Sequence, residues 1–201
     1  AIRTSATFHG LHSLYLDQRP WEKLITPAER TIDALYDCVK LIYQALLNTE
    51  YLVCEHYPIL SPFLPKAIHF ITSEELLQRY PNQTAKEREN SICKEYGAVV
   101  ICGIGGILSN GEVHDFRAPD YDDWTTPAPT KETPDHCGLN GDILIWYEPL
   151  QKAVEISSMG IRVDKSALLK QLEITNHLDW QQFTYHNAIV QDQLPLTIGG
   201  G

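Results

Sequence analysis

The feature that most constrains this chain is a pair of β-rich runs, Asp142–Tyr147 and Val154–Val163, with a six-residue link between them that contains Glu148, Pro149, Leu150 and Gln151. So short a link returns the second strand antiparallel to the first, because a parallel return needs a crossover of a dozen residues or more. Ala98–Ile104 reads as a buried strand and Lys66–Ile71 as another. Between and around them lie helical patterns. Thr26, Pro27 and Glu29 form a start signal of capping residue, proline and returning acid. The period of Ile32, Leu35, Val39, Ile42 and Leu46 then predicts a helix to about Leu52. Further helices are predicted over Ser73–Tyr80, stopped by Pro81, over Thr84–Tyr96, stopped by Gly97, and over Lys165–Ile174 and Leu178–Gln191. Helices and strands do not alternate regularly, so the expectation is α+β: an antiparallel sheet flanked by helices in a single domain over 1–201.

Composition removes several functions. The formal net charge is −10, which repels a phosphate backbone and disfavours nucleic-acid binding. The longest apolar run, Ala98–Leu108, contains three glycines and is shorter than the roughly 20 residues a membrane helix needs. No basic start followed by an apolar stretch suggests a leader. The five cysteines are scattered, with no C-x-x-C pair, so a reducing, cytoplasmic setting is expected. Gly103-Ile-Gly-Gly106 resembles a dinucleotide loop, but the third glycine of that motif would fall at Leu108. There is no G-K-[ST] loop, no H-E-x-x-H and no G-x-S-x-G. His114 beside Asp115 reads as a surface pair.

Three clusters carry chemistry. In the first, Asp115, Asp120, Asp122 and Asp123 fall within nine positions beside Arg117, Tyr121 and Trp124. Such a cluster is either a solvated loop or a site whose carboxylates a metal or ammonium neutralises. In the second, Gly138-Leu-Asn-Gly-Asp142 leads into an apolar strand, so Asp142 must face solvent or a ligand. The third is the strand Glu155–Arg162. Its parity sets Glu155 and Arg162 on opposite faces unless Gly160 hosts a bulge.

Glu155 followed by Arg162 on a late strand, after a strand with Leu-Asn-Gly, is similar to class II aminoacyl-tRNA synthetases of the aspartyl type. The strings Arg117–Trp124, Gly138–Trp146 and Ser157–Asp164 resemble ammonia-dependent asparagine synthetases, the AsnA type of aspartate–ammonia ligase. So do Leu11–Gln18, Pro62–Pro65, Ile68–Phe70, Glu75–Pro81 and Thr197–Gly201. The resemblance spans nearly the whole chain.

It implies a class II synthetase-like catalytic core, working as a homodimer, that uses ATP and Mg2+ to convert L-aspartate and ammonia to L-asparagine through a β-aspartyl-adenylate, releasing AMP and pyrophosphate. By the same resemblance Arg3 holds the ATP α-phosphate. Gly199, Gly200 and Gly201 border the nucleotide. Gln18, Ser158 and Arg162 line the amino-acid pocket, with Arg162 on a carboxylate. Arg117 meets phosphate or substrate, Asp122 meets a substrate or ammonium cation, and Asp142 and Glu155 bind Mg2+. The chain departs from the pattern in two places. Thr4–Gly10 lacks the acids that follow the family arginine, and Gln18-Arg-Pro-Trp-Glu22 replaces Q-W-D-W-E, so Pro20 stands where an acid would meet the substrate ammonium. The family's early strands, with an acid and a lysine of the site, are expected before Ala1, and its motif arginine after Gly201; Ile198–Gly201 reads as a flexible tail or the front of an unfinished motif. The alternative is a paralogue that has lost activity and is kept as an interaction or structural subunit.

Overall fold

In the computed structural model, which describes residues 20–201, a 25-residue helix, α1 (Ile32–His56), crosses the back of a six-stranded sheet. The Thr26–Glu29 capping box forms, but it closes only a 3-10 turn over Pro27–Glu29. Arg30 then leaves helical geometry at φ −78° and ψ 68°, drawn away by a buried contact with Asp123. The helix restarts with Thr31, whose hydroxyl accepts from the Ala34 amide at 3.2 Å. Two starts therefore replace the single expected one.

The strands are β1 (Trp21–Leu24), β2 (His69–Thr72), β3 (Ala98–Cys102), β4 (Asn140–Tyr147), β5 (Lys152–Ile161) and β6 (Thr197–Gly200), arranged β1-β6-β5-β4-β3-β2. All neighbours are antiparallel except β2 and β3, which are parallel. That pair has the crossover a parallel connection needs, α2 (Ser73–Arg79) and α3 (Ala85–Tyr96). Gly97 ends α3 at φ 78°. The predicted hairpin between β4 and β5 forms. Ile198–Gly201, read as a flexible tail or the front of an unfinished motif, instead lies largely in a strand, β6, inserted between β1 and β5.

Period-two alternation sorts the sheet into two faces. On one, Val100, Cys102, Ile143, Met159, Ile161 and Ile198 pack with Leu35 and Val39 of α1. On the other, Ile71, Val99, Ile101 and Leu144 pack with Leu76 of α2 and Ile92 and Cys93 of α3. These helices cluster with the β2–β4 end of that face. Towards β5, β6 and β1 the same face is polar. Beside it, α4 (Lys165–Ile174) and α5 (Thr184–Val190) form a smaller cluster through Leu168, Leu172 and Ile189. The single helix expected over 178–191 is broken at Phe183, whose backbone is extended at ψ 147° and separates a 3-10 turn from α5.

Candidate active site

Strand register gathers the polar residues. Glu22, Gly199, Gly160 and Asn140 occupy one row across β1, β6, β5 and β4. Asp142 lies opposite Ser158 in the neighbouring row. The irregularity that unites Glu155 with Arg162 is not at Gly160. The register shifts between Ile143, opposite Ser157, and Leu144, opposite Glu155, so Ile156 is the extra residue. Leu144 shares a face with Asp142, so the bulge brings Glu155 onto the face of Ser158 and Gly160. Arg162 continues that parity just past the strand, where it bridges to Asp122.

Glycine is required at Gly160 for space, and at Gly199 it leaves room for the Glu22 carboxylate. A β-carbon on Gly160 would come within 2.7 Å of the Asp122 carboxyl carbon, and one on Gly199 would collide with the Glu22 carboxylate. Both carboxylates therefore lie flat across the strands and reach a common guanidinium.

The result is a chain of alternating charge. Arg162 donates from Nη1 to Asp122, and from Nε at 2.8 Å and from Nη2 to Oε1 of Glu22. Its guanidinium also stacks 3.9 Å from the Tyr121 ring centre. The second Asp122 oxygen lies 3.9 Å from Nε of Arg117, and Arg117 in turn pairs with Asp142. Glu155, exposed at the end of this series, feels the like charge of Asp142. Burial pushes the carboxyls of Asp122 and Asp142 up from the ordinary range, opposed by Arg162 and Arg117 for Asp122 and by Arg117 and the Ser158 hydroxyl for Asp142. Partial desolvation and the Asp142 charge raise Glu155 as well. Asp122, expected to meet a cation from the substrate, is thus already committed to two arginines and is 6% exposed.

Asp142 and Glu155 suit a hard divalent ion: two like carboxylates on one face, both penalised when charged. Among the described residues no group of three or more His, Cys, Asp or Glu converges on a cation position. Two carboxylates completed by phosphate and water is the usual manner of Mg2+ at nucleotide sites, so the donor set fits that ion. Arg3 and Gln18 lie outside the described residues. Gly201 exchanges 3.2 Å backbone hydrogen bonds with Ser158, which seats the triple glycine beside the site.

Four supporting residues escaped the sequence reading. Gln171, fully buried on α4, donates to the carbonyls of Pro119 and Asp122 at 3.0 and 3.1 Å and accepts from the Trp124 amide at 2.8 Å. Asn140 clamps Ile104 and Asp123 in the same way. Arg30, 2.5 Å from Asp123, anchors the loop from behind. Glu22 was passed over because Trp21–Leu24 is too short and too polar to announce a strand. The one available signal was Gln171 itself, a polar residue inside the apolar stripe of Ala167, Leu168 and Leu172.

His114 corrects another reading. It is 4% exposed rather than on the surface, and its Nε2 lies 3.1 Å from Glu89, while Asp115 pairs with Lys86. A cleft of about 630 Å3 lies apart from the predicted residues, lined in part by Ser73, Gly103, Trp124, His136 and Lys170. Burial lowers the pKa of His136, and that of His69 likewise. A folded state that keeps imidazole neutral loses stability as pH falls below the unfolded value of about 6.5. Raised carboxylates act with the opposite sign, so the informative quantity is a difference. Wild type should lose more urea resistance than His136→Gln between pH 7.5 and pH 5.5 (both about one unit from that value), and equal losses would clear His136 of the effect.

The comparisons bear on what this face does. A model of aspartate–ammonia ligases, AsnA, matches residues 1–201. The chain belongs to the aspartate–ammonia ligase family. A curated member from Parabacteroides distasonis is 53% identical over all 201 residues, and one from Bacteroides fragilis is 51% identical, each named aspartate–ammonia ligase. The chain covers 57% of the length of each of these relatives. In fold, this family member is similar to the aspartyl-tRNA synthetase of Entamoeba histolytica, with a TM-score of 0.53, 14% identity, and coverage of 90% of this chain and 37% of that one. It is also similar to the Pyrococcus horikoshii asparaginyl-tRNA synthetase complexed with asparaginyl-adenylate, with a TM-score of 0.52, 13% identity, and coverage of 90% and 40%. The expected class II synthetase-like core is therefore present, with one parallel strand pair in its otherwise antiparallel sheet.

Proposed function

We propose that the protein carrying this chain makes L-asparagine from L-aspartate, ammonia and ATP. The observation that carries this reading is the Glu155, Asp142, Arg117, Asp122, Arg162, Glu22 series on one face of the sheet, in a chain of this family. A dicarboxylic amino acid and a polyphosphate both need guanidinium, and an acid pair beside them suits Mg2+.

Arg162 takes a carboxylate of aspartate, with Tyr121 stacked on its face, and Ser158 and Gln18 contact the same amino acid. Arg117 stands between this pocket and Asp142, where it meets phosphate or substrate. Arg3 takes the α-phosphate, and Gly199–Gly201 leave a floor on which a nucleotide can lie. Mg2+, held by Asp142 and Glu155, would neutralise phosphate charge during displacement. The aspartate side-chain carboxylate attacks the α-phosphorus as pyrophosphate leaves. Ammonia then attacks the acyl carbon, the acyl–oxygen bond to AMP breaks, and one proton is released. The residues bind and orient throughout, and the low-dielectric floor strengthens their charges.

The same reading makes the enzyme a cytoplasmic homodimer. All five cysteines are free, which supports a reducing compartment. Pro20, a residue without charge on β1's approach, favours the competing reading of an inactive subunit. One assay decides between them. With ATP, Mg2+, aspartate and ammonium, AMP and asparagine should form in equal amounts, and AMP should vanish when either aspartate or ammonium is omitted. Absence of AMP from the intact protein supports the scaffold instead.

A further inference from the structure

An amino acid carries an ammonium as well as carboxylates, so a pocket that binds it needs an acid with an accessible oxygen. Asp122 does not qualify, because both of its oxygens face arginines in a buried setting. Glu22 does. Its side chain is 42% exposed, and its Oε1 accepts both hydrogen bonds from Arg162. Among the described residues no hydrogen bond uses its Oε2. Gly199 lies directly beneath the carboxylate, where a β-carbon would meet Cδ and both oxygens, so the row is shaped to seat it. Two residues upstream on the same strand parity, Pro20 offers no charge.

Resting on the ligase reading, we propose that Glu22 binds the α-ammonium of aspartate through Oε2 while Oε1 keeps Arg162 aimed at a substrate carboxylate. The arrangement places negative Glu22 between two cations, the guanidinium and the ligand ammonium. It reads ammonium and carboxylate as neighbours, as they are in an α-amino acid. Discrimination against a dicarboxylate without the amino group then resides in β1.

Succinate is the probe, since it keeps the two carboxylates and four carbons of aspartate and lacks only the ammonium. Titration calorimetry on the intact protein should show aspartate binding tighter than succinate by about 10–100-fold, the usual worth of one charge-assisted hydrogen bond. In Glu22→Gln the preference should fall below about threefold, with succinate affinity nearly unchanged. Equal weakening of both ligands would mean that Glu22 only positions Arg162, and an unchanged preference would mean that another group reads the ammonium. Either overturns the assignment and leaves the ligase reading standing. Wild-type protein that binds the two ligands equally also overturns it, with no variant required. Wild-type protein that binds neither and forms no AMP removes the ligase reading and this assignment together.

Discussion

Arg162→Ala should lower kcat/KM for aspartate by at least about 30-fold, because truncating one member of a buried charge pair costs about 2–5 kcal/mol. The side chain is 9% exposed and holds Glu22 and Asp122 at once. Its loss strands two carboxylates and opens the aromatic face of Tyr121. Arg162→Lys should recover little, since an ammonium cannot satisfy two acids in a fixed fork and stack on a ring as well. Steady-state kinetics with varied aspartate at saturating ATP measure the effect. Near-normal saturation in Arg162→Ala would refute the role given to this residue.

Asp123→Ala should strike stability instead. Asp123 is fully buried and accepts from Arg30 at 2.5 Å, from the amides of Thr125 and Thr126 at 2.8 and 2.9 Å, and from the Thr126 hydroxyl. Removing it leaves the Arg30 guanidinium buried, with Asp164 at 3.3 Å its remaining ion pair. A cost of about 3–5 kcal/mol is expected. Urea unfolding would register it as a fall in midpoint without a change in slope. An effect under about 1 kcal/mol, the worth of a surface pair, would show that the network is dispensable.

These two residues also mark how far the sequence could be read. Arg162 and its strand were legible because β-branched and apolar alternation, the short hairpin link and the acid–arginine pairing all pointed to the same sheet. The helices were legible where caps and stops agreed, as at Thr84 and Gly97. Longer-range causes were not. Nothing local shows that Arg30 will be pulled towards Asp123 and split a helix start, or that a bulge falls at Ile156 rather than Gly160, since a bulge is set by how two strands fit. Trp21–Leu24 is a strand through its pairing with Thr197–Gly200, which in turn also pairs with β5. Glu22 gains its place from that pairing, so the second acid that holds Arg162 was hidden for the same reason.

The position of β6 has a kinetic consequence. It is made last of the six strands, yet it sits between β5 and β1, and β1 is the first made. Among the described residues β1 has no other strand partner, so that pairing waits until Thr197 has been translated. Closing a contact so distant in sequence is slow. A nascent chain stalled before Thr197 would display the open flank of β5, a species suited to capture by chaperones. Gly199, which makes room for the Glu22 carboxylate, thus also sits in the strand that completes the sheet.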